Sequence, residues 1–226
     1  MYNNKKISLY KIRMSEKKKV DNITVYTDGS CLNNGKKNSF GAIGIFFQDN
    51  DPDNLGQSIN NDGNKVTNQT MELLACIKAL QIISEKVKNG LEKSIIYIYT
   101  DSSYTINCVT KWYSNWEKNG WINTKNKPVE NKDLIQLLHN LKSQFIVIFK
   151  HVNSHQDEPA DKNSDEYNLW YGNYMADKLA TDACREFAAS QMADNDNENN
   201  ENNENNGKKS KKLKKTKKLI NSSLNV

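Results

Sequence analysis

Tyr26-Thr27-Asp28-Gly29-Ser30 is echoed by Tyr99-Thr100-Asp101-Ser102-Ser103, and each copy closes a β-rich run with an aspartate. The first run is Ile23 to Thr27. The second, Ile95 to Tyr99, is nearly all apolar, β-branched or aromatic, the pattern of a strand buried on both faces of a partly parallel sheet. In α/β sheets ligand sites gather beyond the carboxyl ends of the strands. If the two strands are parallel neighbours, Asp28 and Asp101 emerge side by side, where two carboxylates repel unless a cation lies between them.

Reading outward, Phe40 to Phe47 is a further β-rich run, joined to the first by turn material around Gly35, so the two form a hairpin. Asp49 to Asn64 reads as a polar loop. From about Asn68 to Lys88 the apolar residues 73, 74, 77, 80 and 83 follow the helical period, and Asn89-Gly90 ends the helix. A helix is expected over Ser102 to Lys111 and another over Leu134 to Leu141. Phe145 to Phe149 reads as a second buried strand, and the last helix spans Met175 to about Ala189. A hairpin followed by alternating helices and strands implies an α/β fold with a mixed central sheet flanked by helices.

The 226 residues suit one domain with appendages, and 36% hydrophobic content is low for a globular chain. The shortfall is local. We divide the chain into a basic extension (1–21), a folded domain (22–190) and a tail (191–226) that is Asn-rich and acidic, then Lys-rich, with the composition of a disordered segment. The formal charge of +5 resides at the two ends, and residues 21–193 are net acidic. A plain DNA binder would carry its basic footprint on the folded surface. An acidic core instead suits an enzyme that gathers carboxylates around cations. Cys31, Cys76, Cys108 and Cys184 form no C-x-x-C pair, which points away from zinc and disulfides and towards a reducing compartment. Neither a membrane span nor a secretory signal is evident, so an intracellular protein, nuclear or cytoplasmic and not secreted, is expected.

Two more acids join the pair. Glu72 shares its helical stripe with Ala75, Cys76, Ala79 and Ile83, which face the sheet, and Asp177 lies among Ala176, Ala180 and Ala183 on a close-packing surface. Four carboxylates without thiols select a hard cation, Mg²⁺ or Mn²⁺. Spacing alone leaves this reading level with a plainer one, in which the four are turn, cap and surface acids.

Five segments in order, Tyr26 to Ser30, Thr67-Asn68-Gln69-Thr70-Met71-Glu72, Tyr99 to Ser102, Val152-Asn153-Ser154-His155 and Ala176-Asp177-Lys178-Leu179-Ala180, resemble the motifs of the type 1 ribonucleases H, especially the eukaryotic ones. The resemblance covers roughly residues 22 to 189. It implies a ribonuclease H-like fold and an endonuclease that cuts the RNA strand of RNA/DNA hybrids with two Mg²⁺ ions, Mn²⁺ being a possible substitute, acting as a monomer. It further implies that Asp28 bridges both ions, that Glu72 and Asp101 hold the ion nearer the leaving group, and that Asp177 holds the ion that activates water. The products would carry 5′-phosphate and 3′-hydroxyl ends. His155 takes the place of the family's mobile loop histidine, a catalytic group that shuttles a proton or assists product release. The same resemblance places Asn34, Asn68 and Gln69 against the RNA minor groove, and Lys65, Thr67 and Asn131 around a DNA phosphate.

Lys111 to Trp121 interleaves aromatic residues with lysines, a composition suited to stacking on sugars and tracking phosphates. It resembles the family's basic protrusion, with Tyr104, Trp112 and Trp116 as a channel for the DNA strand, Thr124 nearby and Trp121 in the core. His139 and His151 are read as structural or surface residues. Two departures from the family pattern stand out: an unusually long loop from Gln156 to Tyr174, rich in Asp, Glu and Asn, between His155 and Asp177, and Tyr174 where a glutamate is common. Two other readings compete, a catalytically silent hybrid-binding module and a ribonuclease H domain derived from a reverse transcriptase. All four carboxylates being present speaks against the first, and an intact protrusion against the second.

Overall fold

The computed structural model describes residues 22–36, 39–59, 66–88, 94–154 and 156–191. The basic extension, Asn89-Gly90, Lys65, His155 and the tail from 192 onward lie outside the described residues.

β1 (Asn22–Leu32) and β2 (Phe40–Phe46) form the expected antiparallel hairpin, with Asp28 opposite Gly44. β1 also pairs in parallel with β4 (Ile95–Thr100), as the echo of the two motifs requires. The expectation that Asp28 closes its strand is corrected. β1 continues to Leu32 along β2, while the parallel ladder stops at Tyr26 opposite Tyr99. Two residues further in that register Asp28 stands level with Asp101, on an edge that β4 has already left.

Among the described residues the sheet has five strands in the order β3-β2-β1-β4-β5. β3 (Leu55–Ile59) lies inside the stretch read as a polar loop. Its sequence, Leu-Gly-Gln-Ser-Ile, carries little strand signal, and backbone pairing to β2 at the sheet edge makes it a strand. β5 (Ile146–His151) occupies the other edge and is only partly buried, with Val147 and Phe149 packed on the core and Ile146 61% exposed. An apolar β-branched run announces a strand but not whether another strand lies beyond it.

α1 (Asn68–Lys88) has the expected bounds. It starts on a reciprocal cap in which the Thr67 N–H donates to Thr70 Oγ1 (2.9 Å) and the Thr70 N–H to Thr67 Oγ1 (3.2 Å). Its buried side, Leu73, Cys76, Leu80 and Ile83, packs with Val25, Ile43, Ile45, Ile96 and Ile98 of the sheet and with Ile135 and Leu138 of α4 (Lys132–Lys142). Beyond β4 the expected single helix is three pieces. α2 (Ser103–Asn107) is followed by a π-helical turn, Cys108–Trp112, and by α3 (Tyr113–Lys118).

α5, residues 165–191, covers the opposite face of the sheet, where Ala176 packs with Tyr26 and Phe46. It begins ten residues before the expected start at Met175, so half of the supposed long loop is helix. The signal lay in Ser164, whose Oγ accepts the Tyr167 N–H (3.0 Å), and in Asp165 and Glu166 in the first turn. The aromatic stripe Tyr167, Trp170, Tyr171 and Tyr174 has helical spacing as well. Among the described residues no helix is long and apolar enough to cross a membrane, and the four cysteines are free.

Candidate active site

Three elements bring their carboxylates to one point. Asp28 on β1, Glu72 in the first turns of α1 and Asp101 just past β4 each offer an oxygen within 4.8 Å of the others. α1 can come this close because residue 29 is glycine: a Cβ there would lie 2.3 Å from the Glu72 nitrogen and 2.5 Å from the Met71 carbonyl carbon. Glu72 receives a long hydrogen bond from Thr100 Oγ1 (3.5 Å). Behind Asp101, His151 Nε2–H donates to the Asp101 carbonyl (3.0 Å), so a histidine read as merely structural steadies the turn that carries a site carboxylate.

Asp177 arrives from the other side of the sheet. It lines the same pocket, of about 440 Å³, as Asp28, Glu72, Asp101 and Asn68, but stands outside the close trio. Thr181 Oγ1 donates to its Oδ1 (3.3 Å). Two more glycines let α5 lie against the sheet. A Cβ on Gly44 would sit 2.0 Å from the Ala176 carbonyl oxygen, and one on Gly56 would sit 2.7 Å from that of Leu179.

Acids gathered this closely perturb one another's titration. Burial, then Asp101 and Asp177, push the Asp28 carboxyl up to about 7, against which the Gly29 N–H works. Burial, then Asp28 and Asp101, also raise Glu72 well above the ordinary carboxylate range, opposed by the Gly29 N–H and the Thr100 hydroxyl. The donors are all hard oxygens, and their spacing is close to the roughly 4 Å span of two oxygens across one octahedral Mg²⁺. Beside them Asn173 is buried, and its Oδ1 has no hydrogen-bond partner among the described residues. An orphaned acceptor next to crowded carboxylates is what a cation or its hydration shell would complete. The residues fit a divalent metal.

With this arrangement in view, the likenesses to known proteins are decisive. The ribonuclease H family profile matches residues 20–185. The chain belongs to the ribonuclease H family. A ribonuclease H of Clostridium botulinum is 35% identical over 166 residues, 73% of this chain and 97% of that protein. Ribonuclease H1 of Mus musculus is 33% identical over 166 residues, 74% of this chain and 51% of the mouse protein. Among solved structures, the foamy viral protease-reverse transcriptase in complex with RNA/DNA hybrid superposes with a TM-score of 0.52 at 22% identity, over 73% of this chain and 20% of that one, and shares the fold.

The other sites expected from the ribonuclease H pattern fall into two groups. Asn68 is exposed at the pocket rim, and its N–H donates to Asn34 Oδ1 (3.1 Å), so Asn34 helps cap α1. Gln69 is exposed beside it, and Thr67 is the capping residue already described. The second group is the aromatic row. Tyr104 and Trp112 meet at 6.3 Å and Trp112 and Trp116 at 5.4 Å between ring centroids. Trp112, Trp116 and Thr124 line a separate groove of about 200 Å³. Asn131, in a left-handed conformation (φ 58°), reaches Tyr104 through Nδ2–H to the phenolic oxygen (3.2 Å). Trp121 is core, as expected, and His139 stacks flat on Tyr113 at 3.6 Å.

The pocket wall also includes Asn153 and Ser154, quoted in the motif before His155 but given no role of their own, and Gln156, Trp170 and Asn173, which the sequence reading did not assign to the site. The helical spacing of the aromatics around Trp170 was the available signal.

Proposed function

We propose that this chain is an endonuclease that hydrolyses the RNA strand of RNA/DNA hybrids, leaving 5′-phosphate and 3′-hydroxyl ends. The observation that carries this reading is the convergence of Asp28, Glu72 and Asp101 within 4.8 Å in an open pocket shared with Asp177. Two Mg²⁺ ions, or Mn²⁺ in their place, would be held by these four residues and would supply charge stabilisation at the scissile phosphate and an activated water.

The chain's own residues do the positioning. Gly29 seats the trio, Thr100 and His151 brace Glu72 and the Asp101 turn, and α5 brings Asp177 to the opposite wall. Asn34, Asn68 and Gln69 gather at the start of α1, where side-chain amides can exchange hydrogen bonds with the 2′-hydroxyls that only the RNA strand has. The row Tyr104, Trp112 and Trp116 gives the DNA strand an apolar track for its sugars, with Thr124 in the same groove and Asn131 held on Tyr104. His155, a proton carrier near the departing product, and Lys65, a phosphate contact, complete the assignment from the family pattern.

The deciding experiment offers the full chain an RNA/DNA hybrid, double-stranded RNA and double-stranded DNA, with Mg²⁺ and then with EDTA. Cleavage of the hybrid alone, abolished by EDTA, is the expected result. Hybrid binding without cleavage would identify a silent binding module, and equal rates on all three duplexes would remove the amide assignment.

A further inference from the structure

The outer wall of the carboxylate pocket is aromatic. Trp170 and Tyr174 are one turn apart on α5, stack nearly parallel (10°) with centroids 5.2 Å apart, and both line the pocket that holds Asp28, Glu72, Asp101 and Asp177. The other two aromatics of the stripe have a structural task. Tyr171 meets Phe46 edge-on at 5.9 Å and donates its hydroxyl to Asp49 (2.9 Å), and Tyr167 stacks on Tyr171. Trp170 is fixed as well: its Nε1–H donates to the Gln156 carbonyl (3.0 Å), and its ring lies 5.5 Å from Tyr167. Tyr174 ends this row. Trp170 backs its ring, and 45% of the residue is exposed, a large apolar surface left open beside buried carboxylates.

We propose that Tyr174, backed by Trp170, is a packing platform for a ribose of the RNA strand next to the bond that is cut. The inference rests on the hydrolase reading above, because that reading decides which strand lies against Asp177. Tyr174 precedes Asp177 by three residues and Trp170 by seven, which places them roughly 4.5 and 10.5 Å back along the helix axis. At about 3.4 Å of rise per nucleotide, this is within a few nucleotides of the scissile phosphate on the same strand. Bases in a hybrid are paired and stacked inside, so the sugar is the face a side wall can meet, and a tyrosine ring offers it a flat apolar surface. Asn173, between the two rings in sequence, lines the same pocket with an Oδ1 that has no partner among the described residues.

The test is steady-state cleavage of a hybrid by wild type, Tyr174→Ala and Tyr174→Phe, with hybrid binding measured in parallel. Tyr174→Ala should raise KM roughly tenfold, the scale of one lost aromatic contact with a nucleotide. It should change kcat by less than about threefold, because the contact is made equally in ground and transition states. Tyr174→Phe, which keeps the ring, should restore wild-type KM. A merely structural role would lower Tm and kcat together and would not separate Ala from Phe in KM. Unchanged KM and affinity in Tyr174→Ala, with wild type cutting normally, overturns the platform and leaves the hydrolase reading standing. Failure of wild type to cut the hybrid overturns both.

Discussion

The two halves of the carboxylate pocket are built differently. Asp28, Glu72 and Asp101 sit on β1, on α1 where it presses on β1, and at the end of β4, so one sheet edge and one glycine contact hold their oxygens within 4.8 Å. Asp177 is carried by α5 on the opposite face, held by small-residue contacts at Gly44 and Gly56, and stands outside the trio. The trio is closely gathered and electrostatically crowded, whereas the fourth acid has its distance set by helix packing. On the proposed function, cation binding would draw on the sheet, and alignment of Asp177 as a fourth ligand would draw on α5.

Removing the central charge should give the largest effect. Asp28→Asn is expected to abolish hybrid cleavage while hybrid binding largely persists, because the groove contacts are elsewhere. A single-turnover rate within about tenfold of wild type would refute the assignment of Asp28.

The crowding itself can be read as stability. Asp28 and Glu72 titrate above the unfolded carboxylate range, so their protonated forms fit the fold better and ionisation opposes it. As far as these groups are concerned, stability is fully present below about pH 4 and is lost as pH rises towards about 7. In EDTA, Asp28→Asn should melt above wild type at pH 8 by an amount worth a few kcal/mol, and the gap should shrink towards pH 4. Added Mg²⁺ should stabilise wild type more than the variant. A gap independent of pH would show that the trio is not under strain from its own charge.

The α5 half can be disturbed alone. Gly44→Ala forces backbone apart at Ala176 and should cost about 1–3 kcal/mol of stability. It should lower kcat more than it raises KM, since it moves Asp177 and leaves the trio in place. Equal kcat in the variant would mean that α5 tolerates the shift and that Asp177 is not positioned by this contact.

The smallest effect is expected furthest from the carboxylates. Trp116→Ala, in the separate aromatic groove, should raise KM by roughly fivefold to tenfold with kcat nearly unchanged. A fall in kcat with constant KM would instead tie the groove to alignment at the cut bond.

Much of this was legible in the chain itself. The echo of Asp28 and Asp101, the sheet-facing stripe of Glu72 and the small residues around Asp177 are local patterns, and local patterns survive without a fold. The α1 bounds were legible for the same reason, because helical period and capping act over a few residues. β3 was not, since Leu55–Ile59 becomes a strand only through bonds to β2. Nor was the exposure of β5, which depends on how many strands the sheet has. The early start of α5 was written in Ser164 and the aromatic stripe, but the acidic and Asn-rich composition around it masked the period.

The sequence by itself determined the chemistry on offer: four carboxylates, their motifs and the amides and aromatics that accompany them. Tertiary structure alone decided their geometry. It placed three acids together and the fourth across the pocket, made His151 a brace for the Asp101 turn, and turned Trp170 and Tyr174 from apparent loop residues into a wall of the site. The reason is physical. Residue type and spacing set which groups can act, but distances between groups far apart in the chain are set by register and by how closely backbones approach, as at Gly29 and Gly44.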